Sequence, residues 1–433
     1  MTPTASVPST SAPETRLTAG TGTSIPVERC QVCSGTDLES VLFLGYLPPV
    51  NHMRPIGSRP REEAGYPAEL LQCRACALVQ LGLIVDPSIL FPPEYPYTSG
   101  TTRILRENFA EMYREVSELY PMKPEHLAVD IGSNDGTLLS NFKNAGHRVC
   151  GIEPTLMAKL AQERGIESVM SFFNTGSVAE VKKRFGQARV ITATNVFAHI
   201  EQPHAVVRGI LDLLEPQGIF ISESHYLPAL IETLQYDTIY HEHLRYYSLT
   251  SLKHLLETNG LEIIHAKEIP THGGSVRVYA ARKGVYAVRP SVTALMQREE
   301  KMGIRDRALK DFKKRVVASK LELHALLAGI QQRGGRIYGI GAPSRASTLV
   351  HYAGLDDGII ESVLEVKGSY KTGKYMPGTL IPVEDETRLF TDPPDYALLF
   401  SWHIADELMP KLRAKGFRGG FIIPLPKPRI VND

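Results

Sequence analysis

The sequence predicts an α/β protein. It has a small cysteine-bearing domain at the N-terminus, a central doubly wound, mainly parallel sheet, and a second α/β domain behind it. Three observations carry this. Two Cys-x-x-Cys pairs stand within the first hundred residues, at Cys30/Cys33 and Cys73/Cys76. Short apolar strands then alternate with helices to about residue 285. The same alternation restarts after Gly334-Gly335.

Taken in order, residues 1–28 are rich in Ser, Thr and Pro and hold no aromatic residue. Such a stretch buries too little apolar area to offset its ordering entropy, so a disordered tail is expected. Residues 29–95 are turn-rich and carry the cysteine pairs, and Phe91–Pro96 reads as a linker because prolines disfavour helix. The central unit is expected over 96–288, with strands at His126–Ile131, His147–Glu153, Val190–Asn195 and Gly218–Glu223. A helical connector follows over 289–332. Leu309, Phe312, Val316, Leu323, Leu327 and Ile330 share one helical face there. The second α/β unit, 333–433, opens on Arg336–Gly341.

Composition narrows the function. The chain of 433 residues is 43% hydrophobic and 22% charged, ordinary for a globular protein. Its net charge of +1 argues against a nucleic-acid binder, and no apolar run is long enough to span a bilayer. Five cysteines are too few and too odd in number for a disulfide framework, so a reducing, cytoplasmic setting is expected. Cys150 reads as a buried core thiol. A small-molecule substrate is expected. The oligomeric state stays open, and a monomer is compatible with the sequence.

Four thiolates in two Cys-x-x-Cys turns suit a tetrahedral metal, with zinc the usual occupant. With its coordination sphere full, the single ion would be structural. Next, Val129–Gly136 runs a strand into a glycine turn and a helix start, where a cofactor can approach the backbone. Asp130 and Asp135 would repel a diphosphate but suit an ammonium and a sulfonium. Glu153 ends the next strand about 20 residues on, where a carboxylate accepts ribose hydroxyls. Together these point to S-adenosylmethionine, with Gly132, Asn134 and Asn195 joining the cofactor set.

The third cluster is Tyr240-His241-Glu242-His243. Two imidazoles, a phenol and a carboxylate suit proton abstraction, because an imidazole titrates near neutral pH. The competing readings are a metal site, which lacks His-Glu-x-x-His spacing, and a surface loop. His199 follows the strand ending at Asn195 and is a second titratable candidate. His272-Gly273-Gly274-Ser275 alone is an ordinary turn with freedom for close backbone approach.

Together these strings resemble a known family, the S-adenosylmethionine-dependent C-methyltransferases of nucleotide-linked keto-deoxysugars in antibiotic-sugar pathways. The specific part is Tyr240–His243 followed by His272–Ser275; the glycine turn is shared by many methyltransferases. The resemblance runs from about Cys30 to about Pro382. It implies a zinc domain, a central Rossmann-like methyltransferase domain and a C-terminal substrate-binding α/β domain, with the substrate between them. It implies that His243 or Tyr240 works at the reacting carbon, with Glu242 and His199 nearby, and that Tyr97 lies near the cofactor or substrate. His241, His272, Gly273 and Ser275 join the substrate set. The C-terminal turn departs from relatives: Ala342-Pro343-Ser344-Arg345-Ala346 stands where a lysine turn is usual. Arg345 is then the candidate for a phosphate, and Lys374 a second one.

The chemistry expected is removal of the proton α to a ketone by His243, with Tyr240 donating to the enolate oxygen. The alternatives are an O- or N-methyltransferase on another small intermediate, a zinc-bearing RNA methyltransferase, and a non-catalytic sugar-nucleotide binder.

Overall fold

The protein is described by a computed structural model covering residues 24–91, 100 and 102–432. The expected linker from Pro92 to Pro96, together with Tyr97, lies outside the described residues. No helix among the described residues is long and apolar enough to cross a membrane.

The N-terminal unit contains β1 (Ile25–Pro26), β2 (Leu38–Leu47), β3 (Tyr66–Cys73), β4 (Val79–Leu81) and β5 (Leu83–Ile84). Strands β2, β3 and β4 form an antiparallel meander. Ile25–Pro26 pair with Leu83–Ile84, so the stretch expected to be tail contributes a strand at its end.

The central sheet holds β6 (Leu127–Ile131), β7 (Arg148–Ile152), β8 (Ser168–Val169), β9 (Ala188–Thr194) and β10 (Leu214–His225). Next in the chain comes β11 (Arg245–Tyr246), which leaves this sheet and pairs with β4 of the N-terminal one. The central sheet is completed by β12 (Leu261–Ile269) and β13 (Ser275–Arg282). Its order is β12-β13-β10-β9-β6-β7-β8. Strands β6 to β10 run parallel, and β13 is inserted antiparallel beside β10. Strand order reverses between β6 and β9, which opens a crevice at their carboxyl ends. All five side chains of β6 are buried because helices cover both faces of a parallel sheet.

The connector is two helices, Pro290–Met302 and Arg307–Gln331, where one was expected. Gly303 breaks it by adopting φ 76°, a conformation only glycine takes at little cost. The C-terminal sheet comprises β14 (Ile337–Ile340), β15 (Ser362–Glu365), β16 (Lys374–Tyr375), β17 (Pro382–Asp385), β18 (Tyr396–Leu399), β19 (Gly420–Ile423) and β20 (Arg429–Val431). Its order is β16-β17-β15-β14-β18-β19-β20, doubly wound with antiparallel edges.

One ionic network fixes the helix Arg103–Leu119 to the central sheet. Arg277 on β13 and Glu223 on β10 are each 0% exposed and pair at 2.6 Å. Asn108 Nδ2 donates to both Glu223 oxygens at 3.1 and 2.9 Å, while Arg277 also meets Glu115 at 3.0 Å. Burial alone pushes Glu223 upward, and Arg277 opposes it. Removing one member of such a pair strands a buried charge. Arg277→Met should therefore cost about 3–5 kcal/mol in a urea unfolding titration. A loss below about 1 kcal/mol would mean the pair is not a structural tie.

Candidate active site

The cysteine pairs come together first. All four Sγ atoms lie within 4.8 Å of one another, with Cys30–Cys76 and Cys33–Cys73 each at 3.4 Å. Sulfurs about 3.8 Å apart are what a tetrahedron with bonds of about 2.3 Å requires, so the set fits zinc with little adjustment. The local fold is built for this. Ser34 and Ala77 adopt left-handed backbone just after each pair, turning the chain around the sulfurs. The Val32 and Cys33 amides approach Cys30 Sγ at 3.4 and 3.5 Å, an arrangement that favours a thiolate. Cys150 is buried and stands apart as a core thiol.

The cofactor edge is the crevice above β6 and β9. Gly132 follows β6 with φ 69°, and a Cβ there would lie 2.5 Å from Val196 Cγ2, so the turn admits only glycine. Glu153, at the end of β7, accepts the Asn134 amide at 3.0 Å and the Thr155 hydroxyl at 2.7 Å. The Thr155 amide also donates to it at 2.9 Å, so of a carboxylate's roughly four acceptor sites about one remains for a ribose hydroxyl. Asn195 ends β9 in a left-handed conformation (φ 57°), and its Oδ1 is buried without a hydrogen-bond partner. An acceptor left bare in a crevice suits a ligand ammonium. These features fit S-adenosylmethionine.

Asp130 sits back in the strand, accepting Thr192 Oγ1 at 2.6 Å, and burial pushes its carboxyl up to about 7. Asp135 differs from its expected role as a cofactor ligand. It accepts the Thr137 amide, the Thr137 hydroxyl and the Gly100 amide, and pairs with Arg164 at 3.0 Å. Those bonds anchor the first turn of the helix Thr137–Asn144.

A row of rings lines the wall facing this edge. His243 packs on Tyr240 with centroids 4.2 Å apart and the rings tilted by 37°, and approaches His199 at 5.0 Å and His225 at 5.1 Å. His225 lies 5.6 Å from His272, whose Nε2 is 3.3 Å from Asn195 Nδ2. His272 has φ 56°; two neighbouring left-handed non-glycine residues mark backbone strain held in place by the surroundings. His243 Nδ1 is 2.8 Å from the Thr238 carbonyl. A carbonyl only accepts, so Nδ1 carries the proton and Nε2 is left with its lone pair. Burial pushes His243 down to about 3, His199 and His272 to about 4, and His225 well down. Like-charge repulsion from neighbouring imidazoles adds to this for His243 and His225. Glu242 accepts Asn51 Nδ2 from the N-terminal unit at 2.6 Å.

Four expected substrate residues sit elsewhere. His241 points away from the ring cluster: its Nε2 is 3.1 Å from the Pro67 carbonyl on β3, and its ring packs on Tyr66. The segment is a turn, closed by the His243 amide donating to the Tyr240 carbonyl at 2.9 Å, and it sends His241 to the Pro67 side and His243 to the ring cluster. Ser275 is 0% exposed and donates to the Thr271 carbonyl at 3.0 Å. Lys374 lies on β16 over the Tyr370 ring. Arg345 is buried and bidentate to Asp237 at 2.7 and 2.8 Å, so its guanidinium is committed to a carboxylate. Gly273 keeps its place as a close-approach residue, packed against Gln235, whose Nε2 donates to its carbonyl at 2.7 Å.

The structure adds residues that the sequence did not single out. His225 extends β10 two residues beyond its expected end at Glu223. His403 follows Trp402 in the C-terminal unit, and burial, with Arg345 nearby, pushes it down to about 3. Lys371, near Glu242 and Glu365, is the inward-facing lysine of this loop and donates to the Ala342 carbonyl.

The family described as "C-methyltransferase C-terminal domain" matches residues 270–426. A methyltransferase domain family matches 104–266, and a zinc binding domain family matches 30–91. The C-methyltransferase NovU of Streptomyces niveus is 32% identical over 411 residues, covering 94% of this chain and 97% of that protein. The chain belongs to the zinc-domain C-methyltransferase family. It is an S-adenosylmethionine-dependent methyltransferase with a structural zinc site at Cys30, Cys33, Cys73 and Cys76. A ubiquinone biosynthesis O-methyltransferase of Shewanella pealeana is 27% identical over 113 residues, 24% of this chain and 47% of that protein. The solved CcbJ methyltransferase from Streptomyces caelestis is 15% identical, with a TM-score of 0.33, covering 44% of this chain and 93% of that one.

The depressed histidines make acid stability a direct readout of this family member's site. In the unfolded chain each titrates near about 6.5. As pH falls below that value the unfolded state binds protons that His199, His243, His272 and His403 refuse when folded, so stability falls. The loss should run from about pH 6.5 towards pH 4, with proton uptake on urea unfolding and with zinc retained in the folded protein. A stability flat over that range would show that these imidazoles are charged when folded.

Proposed function

We propose that this chain methylates the carbon α to the ketone of a nucleotide-linked 4-keto-deoxysugar, dTDP being the expected nucleotide, in the biosynthesis of a secondary-metabolite sugar. The sugar reading rests on the family resemblance of Tyr240–His243 and His272–Ser275. The observation that carries the chemistry is His243 Nδ1 at 2.8 Å from the Thr238 carbonyl, with the ring centroid 4.2 Å from that of Tyr240.

Carbon becomes a nucleophile only when a neighbouring carbonyl acidifies its proton. His243 Nε2 is the base that takes that proton, and the Thr238 carbonyl steadies the imidazolium so formed. The Tyr240 phenol donates to the enolate oxygen. Bound S-adenosylmethionine supplies an electrophilic methyl. Gly132, Asn134, Glu153 and Asn195 would hold it, and Asp130 lies behind them. Glu242 and His199 flank the base, and His272 orients Asn195.

His243→Asn should lower kcat by about 10²- to 10⁴-fold, the worth of a placed general base, while cofactor affinity stays within twofold or so. Isothermal titration with S-adenosylmethionine separates the two effects; lost cofactor binding would refute the assignment. With ¹³C-methyl cofactor, a methyl resonance in the carbon-bound region supports the reading. An oxygen- or nitrogen-bound methyl would replace it with an O- or N-methyltransferase.

A further inference from the structure

Arg345 belongs to the C-terminal unit, in the first turn of the helix Ser344–Ala353. Its partner, Asp237, belongs to the segment that leads into Tyr240–His243. Asp237 is 0% exposed, and it has three donors: Arg345 Nε and a terminal guanidinium nitrogen at 2.8 and 2.7 Å, and Trp402 Nε1 at 2.7 Å. The guanidinium lies 4.9 Å over the Trp402 ring. It also reaches Gln235 Oε1 at 3.3 Å. Three residues along the same helix, Thr348 Oγ1 donates to the Ile239 carbonyl at 3.0 Å. The C-terminal helix thus grips the chain on both sides of Thr238, at the Asp237 carboxylate and at the Ile239 carbonyl. The carbonyl between those two grips is the one that receives His243 Nδ1–H, and Tyr246 OH reaches it at 3.3 Å.

We propose that Arg345 is a positioning residue for methyl transfer: through Asp237 it fixes the Thr238 carbonyl, and through that carbonyl it sets the orientation and tautomer of His243. This rests on His243 being the base. A guanidinium with a bidentate carboxylate, an indole over its face and a side-chain amide at its edge has its recognition capacity used inside the protein. The three-point attachment explains why an arginine rather than a lysine stands at this turn. Only a planar fork serves Asp237 and Gln235 together while stacking on Trp402.

The test uses the full, zinc-loaded chain and three variants: Arg345→Met, Arg345→Lys and Thr348→Val. Circular dichroism, zinc content and cofactor affinity establish that each is folded; Arg345→Lys and Thr348→Val carry the test if Arg345→Met does not fold. Arg345→Met should lose about 10²-fold in kcat, the cost of a small misplacement of the base. Its KM for a dTDP-4-keto-deoxysugar should change less than about threefold. Arg345→Lys should recover part of the loss, and Thr348→Val should show a smaller drop of the same kind. Exchange of the substrate α-proton in D2O should fall in step with kcat. Histidine ¹⁵N spectra, which need no substrate, should show His243 losing its single Nδ1–H tautomer in Arg345→Lys. A raised KM with kcat, exchange and tautomer intact would overturn the proposal and return Arg345 to phosphate binding. Unchanged kinetics and tautomer in all variants would overturn it outright. Wild-type protein that exchanges no α-proton would sink the carbon-acid reading instead, while the tautomer shift would still decide the role of Arg345.

Discussion

A buried charge must keep its counter-charge, and that constraint holds the Tyr240–His243 segment in place. Asp237 is fully buried at the mouth of the segment, and Arg345 and Trp402 from the C-terminal unit make its burial tolerable. At the far end, Arg245–Tyr246 pair as β11 with β4 of the N-terminal sheet. Between these anchors, His241 faces Pro67 and Glu242 meets Asn51. A stretch of ten residues is therefore stretched across all three parts of the chain. The central unit adds a third hold, with the Leu244 amide donating to the Ala198 carbonyl at 2.9 Å and Arg245 to the Glu201 carbonyl at 2.9 Å.

The central sheet supplies the other half of the site. Its parallel strands end at a crevice where Gly132, Glu153 and Asn195 lie within one layer. Strain at Asn195 and His272 is held there because the two side chains meet at 3.3 Å and the Asn195 amide donates to the Glu223 carbonyl at 2.8 Å. The Glu223–Arg277 pair sits beneath, fixing β10 and β13 against the helix Arg103–Leu119. The imidazole row then stands on strand ends and tight turns carried by that rigid sheet. Desolvation keeps those rings neutral, which is the form a base and a hydrogen-bond partner both need.

Much of this was legible in the sequence. The four cysteines carry their own geometry in a doubled spacing. The β6 turn and the Glu153 strand end announce a cofactor crevice, because such turns recur wherever a strand meets a helix N-terminus. The string Tyr240–His243 marks chemistry by residue type alone. Other features depend on partners far away in sequence. Nothing near Arg345 shows that Asp237 takes its charge, so it reads as a phosphate ligand. Nothing local tells His241 from His243, since facing is decided by which sheet the segment joins. Ser275 looks like a ligand beside two glycines, yet its hydroxyl closes a turn on Thr271. His225 was hidden by a strand boundary two residues short, and Gly303 because the apolar face that marks the connector runs from Leu309 to Ile330, beyond it.

In the proposed mechanism His243 stands neutral in the crevice with its proton on Nδ1, held by the Thr238 carbonyl. The most direct measurement is ¹⁵N NMR of histidine-labelled protein across pH, with His243 assigned by its Asn variant. The account predicts a protonated Nδ1 and an unprotonated Nε2 from about pH 8 down to about pH 5, well below the usual imidazole range. An imidazolium at neutral pH, or a proton on Nε2, would contradict it.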